Sequence, residues 1–269
     1  MPLIPEELVE RYAVVHQPRS ARLLLATVWF GLFMVAYFIG DGGLAIFFAA
    51  NAAVAALQMT ARWIEHRRPA NSILAGLGAL AIGGSAYFGN RVLGAAILVY
   101  CALAVLFSRG FGPIPKNEDG KPAFDVTAGI SDAWITVAAG FVPGFAAASV
   151  VQVNRIDGVA LAFLGAAVCT YDAGDHLCSA GYASKLVGPV SGMVGVMVVT
   201  ASMAVIGPDP LEGASVWLTG ILLAVLCPVG QWLGSWLLPS ALSEAPGIRR
   251  LDAWFLSAPI FWLVVAWAS

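Results

Sequence analysis

A chain of 269 residues that is 59% hydrophobic and 11% charged, with a mean hydropathy of +0.83, carries more apolar surface than one water-soluble core can hide. Composition therefore points to an all-α integral membrane protein. A net charge of −2, with no basic block interleaved with aromatics, excludes a nucleic-acid partner.

Residues 1–22 are polar and precede the first apolar run, and no small-residue cleavage site follows that run. They read as a cytoplasmic N-terminal segment in front of a retained helix, not as a removable signal. Apolar runs bounded by charge, Gly or Pro then recur at 23–39, 44–61, 72–88, 92–107, 131–152, 158–177, 189–206, 214–238 and 253–268. None alternates with period two, and lipid leaves no backbone group unpaired, so each reads as a helix. The expectation is a polytopic bundle of about nine transmembrane helices. Four of them lie in 23–107 and five in 131–269, with a Pro- and Gly-rich loop over 108–130 between.

With the N-terminus cytoplasmic, this division puts Arg11, Arg19, Arg22, Arg62, Arg67, Arg68, Arg109, Lys116, Lys121, Lys185, Arg249 and Arg250 on the cytoplasmic side. Only Arg91 and Arg155 of the 14 basic residues fall outside. One missed or invented helix would invert every later loop, so the split supports both count and direction. A bacterial inner (cytoplasmic) membrane is the expected location. Cys101, Cys169, Cys178 and Cys227 form no CxxC pair and read as small apolar packing residues.

Two stretches of the C-terminal third put charge at the ends of apolar spans: Thr170 to Gly192 and Glu244 to Pro259. A carboxylate at membrane depth is costly, so Asp172, Asp175 and Asp252 are functional candidates by default. Each has a plainer reading beside it. Asp172 and Asp175 can cap and solvate a helix end with Lys185 as partner, and His176 can be structural because no second His lies at helical spacing. Arg249 and Arg250 read equally as positive-inside anchors or as lipid-phosphate contacts. Asp132 reads as a charge at the N-terminus of span five.

These stretches resemble the phosphatidate cytidylyltransferases, membrane enzymes that make CDP-diacylglycerol from CTP and phosphatidic acid. The family's D-S-G-A-Y-like segment and K-V-S-P-G-K-T are similar to Asp172-Ala173-Gly174-Asp175-His176 and to Lys185 through Gly192. Its H-G-G-x-x-D-R-x-D is similar to Glu244 through Asp252, followed by a helix through Pro259. A span-two ending of AALQMTARW, from Ala55 to Trp63, resembles the close of the family's opening helix pair.

The resemblance implies a CTP-dependent nucleotidyltransferase acting on a lipid phosphate in phospholipid biosynthesis. Asp172, Asp252 and Lys185 would be catalytic, Asp172, Asp175 and Asp252 would hold Mg²⁺, and Ser191, Arg249 and Arg250 would bind phosphate. Matching residue by residue, Asp172, Gly174, Ser191, Arg250 and Asp252 survive. The two signature lysines fall on Pro189 and Val194, the first Asp of D-R-x-D on Arg249, the His on Glu244, a Gly-Asp on Gly230-Gln231, and a basic pair on Leu238-Pro239. Each lost phosphate clamp costs about 10²–10³ in rate, so reduced or altered activity is expected. Three classes stay open: an active or altered CTP-dependent lipid enzyme; a catalytically inactive relative that binds phospholipid or serves as a structural subunit, as a homodimer or in a membrane complex; and an unrelated small-solute transporter.

Overall fold

The computed structural model describes residues 19–107, 126–179, 186–207, 210–240, 243 and 245–269. Lys185 and Glu244, with most of the N-terminal segment and of the 108–130 loop, lie outside the described residues. Every regular element among the described residues is helical: α1 Arg19–Ile39, α2 Asp41–Glu65, α3 Ser72–Ser85 with a 3-10 turn Ala86–Phe88, α4 Asn90–Phe107 and α5 Val126–Ile156. They are followed by α6 Gly158–Ser179, α7 Val187–Ile206, α8 Ala214–Trp236, α9 Pro246–Leu251 and α10 Trp254–Ala268.

Six stretches among the described residues are long and apolar enough to cross a membrane: Asp41–Glu65, Asn90–Phe107, Ala133–Ile156, Val187–Ile206, Ala214–Trp236 and Pro246–Ala268. Ala26–Ile39 and Ser72–Phe88 are apolar but shorter. This is an all-α integral membrane protein, with six such stretches where the sequence gives nine apolar runs. The helix α6 is long enough, and Asp172, Asp175 and His176 toward its end make it less apolar.

Local chemistry sets the breaks between helices. Gly40, at φ 90°, separates α1 from α2, and Gly207, at φ 62°, ends α7; both sit in the left-handed region that side chains avoid. The Asn71 side chain caps α3 by accepting from the Leu74 N–H at 3.0 Å. Asp157 does the same for α6, accepting from the Ala160 N–H at 2.6 Å. Pro246, in the first turn of α9, opens that helix where no intrahelical N–H is needed. Several boundaries differ from expectation: α1 begins at Arg19, inside the expected N-terminal segment, and α5 begins at Val126, so residues 126–130 of the expected loop are helical and Asp132 lies inside the helix.

Packing relies on small residues, since apolar side chains gain little by leaving lipid for one another and close backbone approach must supply the contact. A Cβ at Gly83 would stand 3.0 Å from Ala49 and 3.1 Å from Ala147, and one at Gly144 would stand 3.0 Å from the Ala79 backbone, so α2, α3 and α5 meet closely. Many large side chains face outward, among them Phe38 at 79% exposed, Val205 at 88% and Trp267 at 90%. The second half packs α6 on α7, α7 on α8, and α10 between α5 and α8. At the join, Trp29 and Phe33 of α1 and Phe48 of α2 surround Trp254 at the start of α10, with ring centroids 5.1–6.2 Å from it.

Candidate functional site

Asp252 occupies the turn between α9 and α10 and is 2% exposed. It fits there because the facing surface of α8 is bare. A Cβ at Gly234 would stand 2.6 Å from the Asp252 Cβ, and one at Gly230, a helical turn away, 2.5 Å from the Asp252 carbonyl oxygen. One carboxylate oxygen accepts from the Ala253 N–H at 2.8 Å. The other lies 3.5 Å from Arg249 Nη1, which also donates to Ser235 Oγ of α8 at 2.7 Å. A charge buried this deeply persists only when paired and hydrogen-bonded.

On α6, Asp172 and Asp175 are half-buried and three residues apart, which puts them on one face of the helix. The crossing of α6 and α7 beneath them is tight: a Cβ at Gly174 would stand 2.9 Å from the Gly192 backbone and from the Ser191 carbonyl. Ser191 thus sits at this crossing. Gln231 of α8 ties the region together, accepting from the buried Tyr171 hydroxyl at 3.0 Å and donating to Asp175 at 3.4 Å.

The two motif regions meet. Asp172 lies within electrostatic reach of Asp252, Asp175 and Arg250, and Arg250 within reach of both Asp172 and Asp252. Of the sequence-selected residues, the structure gathers Asp172, Asp175, Asp252, Arg249 and Arg250 around the α6, α8 and α9–α10 contact. Ser191 stands at the neighbouring crossing, and Lys185 lies outside the described residues.

Several participants were not selected from sequence. Cys169 and Cys227 lie close to Asp172, and Ser257 lies beside Cys227 while donating to the Ala253 carbonyl at 2.5 Å. The available signal was spacing, because Cys169 precedes Asp172 by three residues and shares its face. The AALQMTARW segment contributes two more. Gln58 Oε1 accepts from the Gly247 N–H at 2.7 Å, and Trp63 Nε1 donates to the Leu237 carbonyl at 2.8 Å. The end of α2 therefore holds both ends of the connection from α8 to α9, the helix that carries the arginines.

Magnesium requires a near-octahedral set of oxygen ligands at close range. Among the described residues no group of three or more His, Cys, Asp or Glu converges to hold a metal ion. The donor set also carries a guanidinium where the resemblance places a ligand Asp, so the residues as arranged do not fit Mg²⁺. Comparison with protein families, with curated proteins and with solved structures finds no match.

Proposed function

We propose that this chain is a lipid-phosphate-handling protein of the phosphatidate cytidylyltransferase kind, with cytidylyl transfer reduced or altered. The observation that carries the reading is the meeting of Asp172, Asp252 and Arg250. These are three of the residues that survive from the family's two motifs, Asp172 standing 78 positions before Arg250 and 80 before Asp252, and they lie within electrostatic reach of one another inside an apolar bundle. Buried charge in a membrane bundle is expensive, and its usual return is a ligand or ion pathway.

The accompanying topology is nine spans with the N-terminus cytoplasmic, in a bacterial inner membrane. Its support is the distribution of basic residues together with the shorter apolar helices α1 and α3 and the amphipathic end of α6, which would complete the six longer spans. In that orientation the α6 end and the α9–α10 turn face the cytoplasm, where nucleotides and phosphate donors are found.

Turnover is expected to be poor for a chemical reason. Charge that develops on transferring phosphate needs preorganised cations. Here the arginines of the site already answer carboxylates of the same site. A second reading, a catalytically inactive relative that binds phospholipid alone or within a membrane complex, is favoured by one observation: the Arg249–Asp252 pair at 3.5 Å, which occupies the carboxylate that catalysis would need.

The test is turnover of CTP and phosphatidic acid by purified protein with Mg²⁺ varied. CDP-diacylglycerol formation at least about 10³-fold below an ordinary family enzyme is expected, from two or more lost charge-stabilising groups. Robust formation abolished by Asp252→Asn would show that the missing signature residues were given too much weight.

A further inference from the structure

The connection from α2 to α3, residues 66–71, closes its helix on a strained arginine. His66 caps α2, the Arg67 N–H donates to the Ile64 carbonyl at 2.9 Å, and the Arg68 N–H donates to the Trp63 carbonyl at 3.0 Å. This paired closure ordinarily places glycine in the left-handed position. Arg67 takes that position instead, at φ 59°, and is the one non-glycine residue with positive φ among the described residues. Strain that the surrounding hydrogen bonds over-determine points to a use for the side chain it displays.

The charge displayed there is unanswered. Arg67 and Arg68 are exposed, and among the described residues neither guanidinium has a hydrogen-bond or ion-pair partner. Glu65 is the one acid between Asp41 and Glu118 in the sequence, and it already pairs with Arg62 at 2.8 Å. The depth of the arginines is set by their neighbours. The stretch Asp41–Glu65 is long and apolar enough to cross a membrane, so its end brings them to headgroup level. Trp63 meets Trp134 of α5 edge-on, with centroids 5.7 Å apart, an aromatic pair of the kind that marks a membrane–water boundary. Ile64 and Ile73, before and after the connection, are exposed and offer contact to acyl chains. The connection is also anchored: the Asn71 N–H donates to Thr136 Oγ1 of α5 at 3.1 Å, and the Asn71 side-chain amide donates to the Phe107 carbonyl at the end of α4 at 2.9 Å. A platform tied to two further helices loses little freedom when it binds.

We propose that the α2–α3 connection is a docking surface for an anionic glycerophospholipid, whose phosphate meets the Arg67 and Arg68 guanidinium groups while its acyl chains lie along Ile64 and Ile73. The guanidinium fork suits a phosphate, and charge selects the lipid. A zwitterionic headgroup would bring its own cation to a patch whose acid, Glu65, is already paired. The surface uses none of the residues of the α6, α8 and α9–α10 cluster, so it stands or falls apart from the function proposed above.

The experiment is native mass spectrometry of the full chain in detergent, titrated with phosphatidylglycerol and with phosphatidylcholine of the same acyl chains, beside thermal unfolding in lipid-free detergent. Each basic residue near an anionic headgroup contributes about fivefold in affinity, so phosphatidylglycerol is expected to bind roughly 25-fold more tightly than phosphatidylcholine. Arg67→Gln cuts that preference about fivefold, and Arg67→Gln with Arg68→Gln abolishes it. Arg91→Gln removes an exposed charge beyond the far end of α3 and leaves the preference unchanged. Arg67→Gly separates lipid binding from folding: glycine relieves the left-handed strain, so the melting temperature rises while the preference falls about fivefold.

An Arg67→Gly chain that keeps the full preference, or that melts below the wild type, overturns the proposal, because the side chain then has no lipid role or has a structural one. Equal affinity for the two lipids overturns it. So does an Arg91→Gln loss equal to that of Arg67→Gln, which is a response to net charge alone. A lipid-independent dimer that the paired variant loses would place a second copy of the chain on the patch and would also overturn it.

Discussion

Substituting Gly230 by Ala tests the seat of Asp252 without reference to any ligand. The new Cβ would stand 2.5 Å from the Asp252 carbonyl oxygen and 3.3 Å from that of Ala253, whereas ordinary contact begins at 3.4 Å. The α9–α10 turn must therefore retreat by about 1 Å, and the obstructing atoms are backbone, which cannot rotate aside. Overpacking of this kind costs about 1–3 kcal/mol, against a helix-propensity gain near 1 kcal/mol for replacing Gly by Ala. Backbone obstruction places the cost at the upper end, for a net loss of about 1–2 kcal/mol. At about 2–4 °C per kcal/mol for a chain of this size, thermal unfolding in detergent should shift down by roughly 2–8 °C. Gly31→Ala in α1 is the control: nothing lies within 4 Å of its Cβ position, so only the propensity gain remains. Gly230→Ala melting at or above the wild-type temperature, level with Gly31→Ala, would refute the close approach of α8 to the Asp252 turn.

Two further outcomes follow from the same geometry. Gln58→Leu removes the acceptor of the Gly247 N–H and should cost about 1–3 kcal/mol, whereas Gln58→Glu keeps an acceptor and most of the stability; equal melting of the two variants would show that the α2 contact does not hold α9. Arg249→Asp combined with Gln231→Asp adds two carboxylates beside Asp175 and Asp252 and should create Mg²⁺ binding, read as a melting temperature that rises with Mg²⁺ concentration. A melting temperature indifferent to Mg²⁺ would mean that the site is no worn metal centre.

Much of the fold was legible because lipid enforces helices wherever an apolar run is long enough, and because Gly40, Asn71, Asp157 and Gly207 mark the ends of those runs. The start of α5 was misread because residues 126–130, VTAGI, lie between a Pro-rich stretch and the apolar run and have no strong boundary signal of their own. The carboxylates and arginines of the site were legible for an energetic reason: charge at membrane depth stands out. Their supports were not. Gln58 and Trp63 reach partners 189 and 174 residues away, and ordinary polar residues at a helix end give no sign of such contacts. Gln231 illustrates the opposite case. As a letter it is a departure from a motif, while in the structure its amide bridges Tyr171 and Asp175, a role that a carboxylate beside Asp175 could not fill.

If the α6 carboxylates and the α9–α10 arginines form one site, Asp172 and Arg250 are energetically coupled. A double-mutant cycle on unfolding stability, with Asp172→Asn, Arg250→Gln and the pair together, measures that interaction directly. The expected coupling energy is between about 0.5 and 3 kcal/mol, the double variant being more stable than the two single losses summed, as for charges in one network. Effects that add to within about 0.3 kcal/mol, as for sites that do not touch, would contradict it.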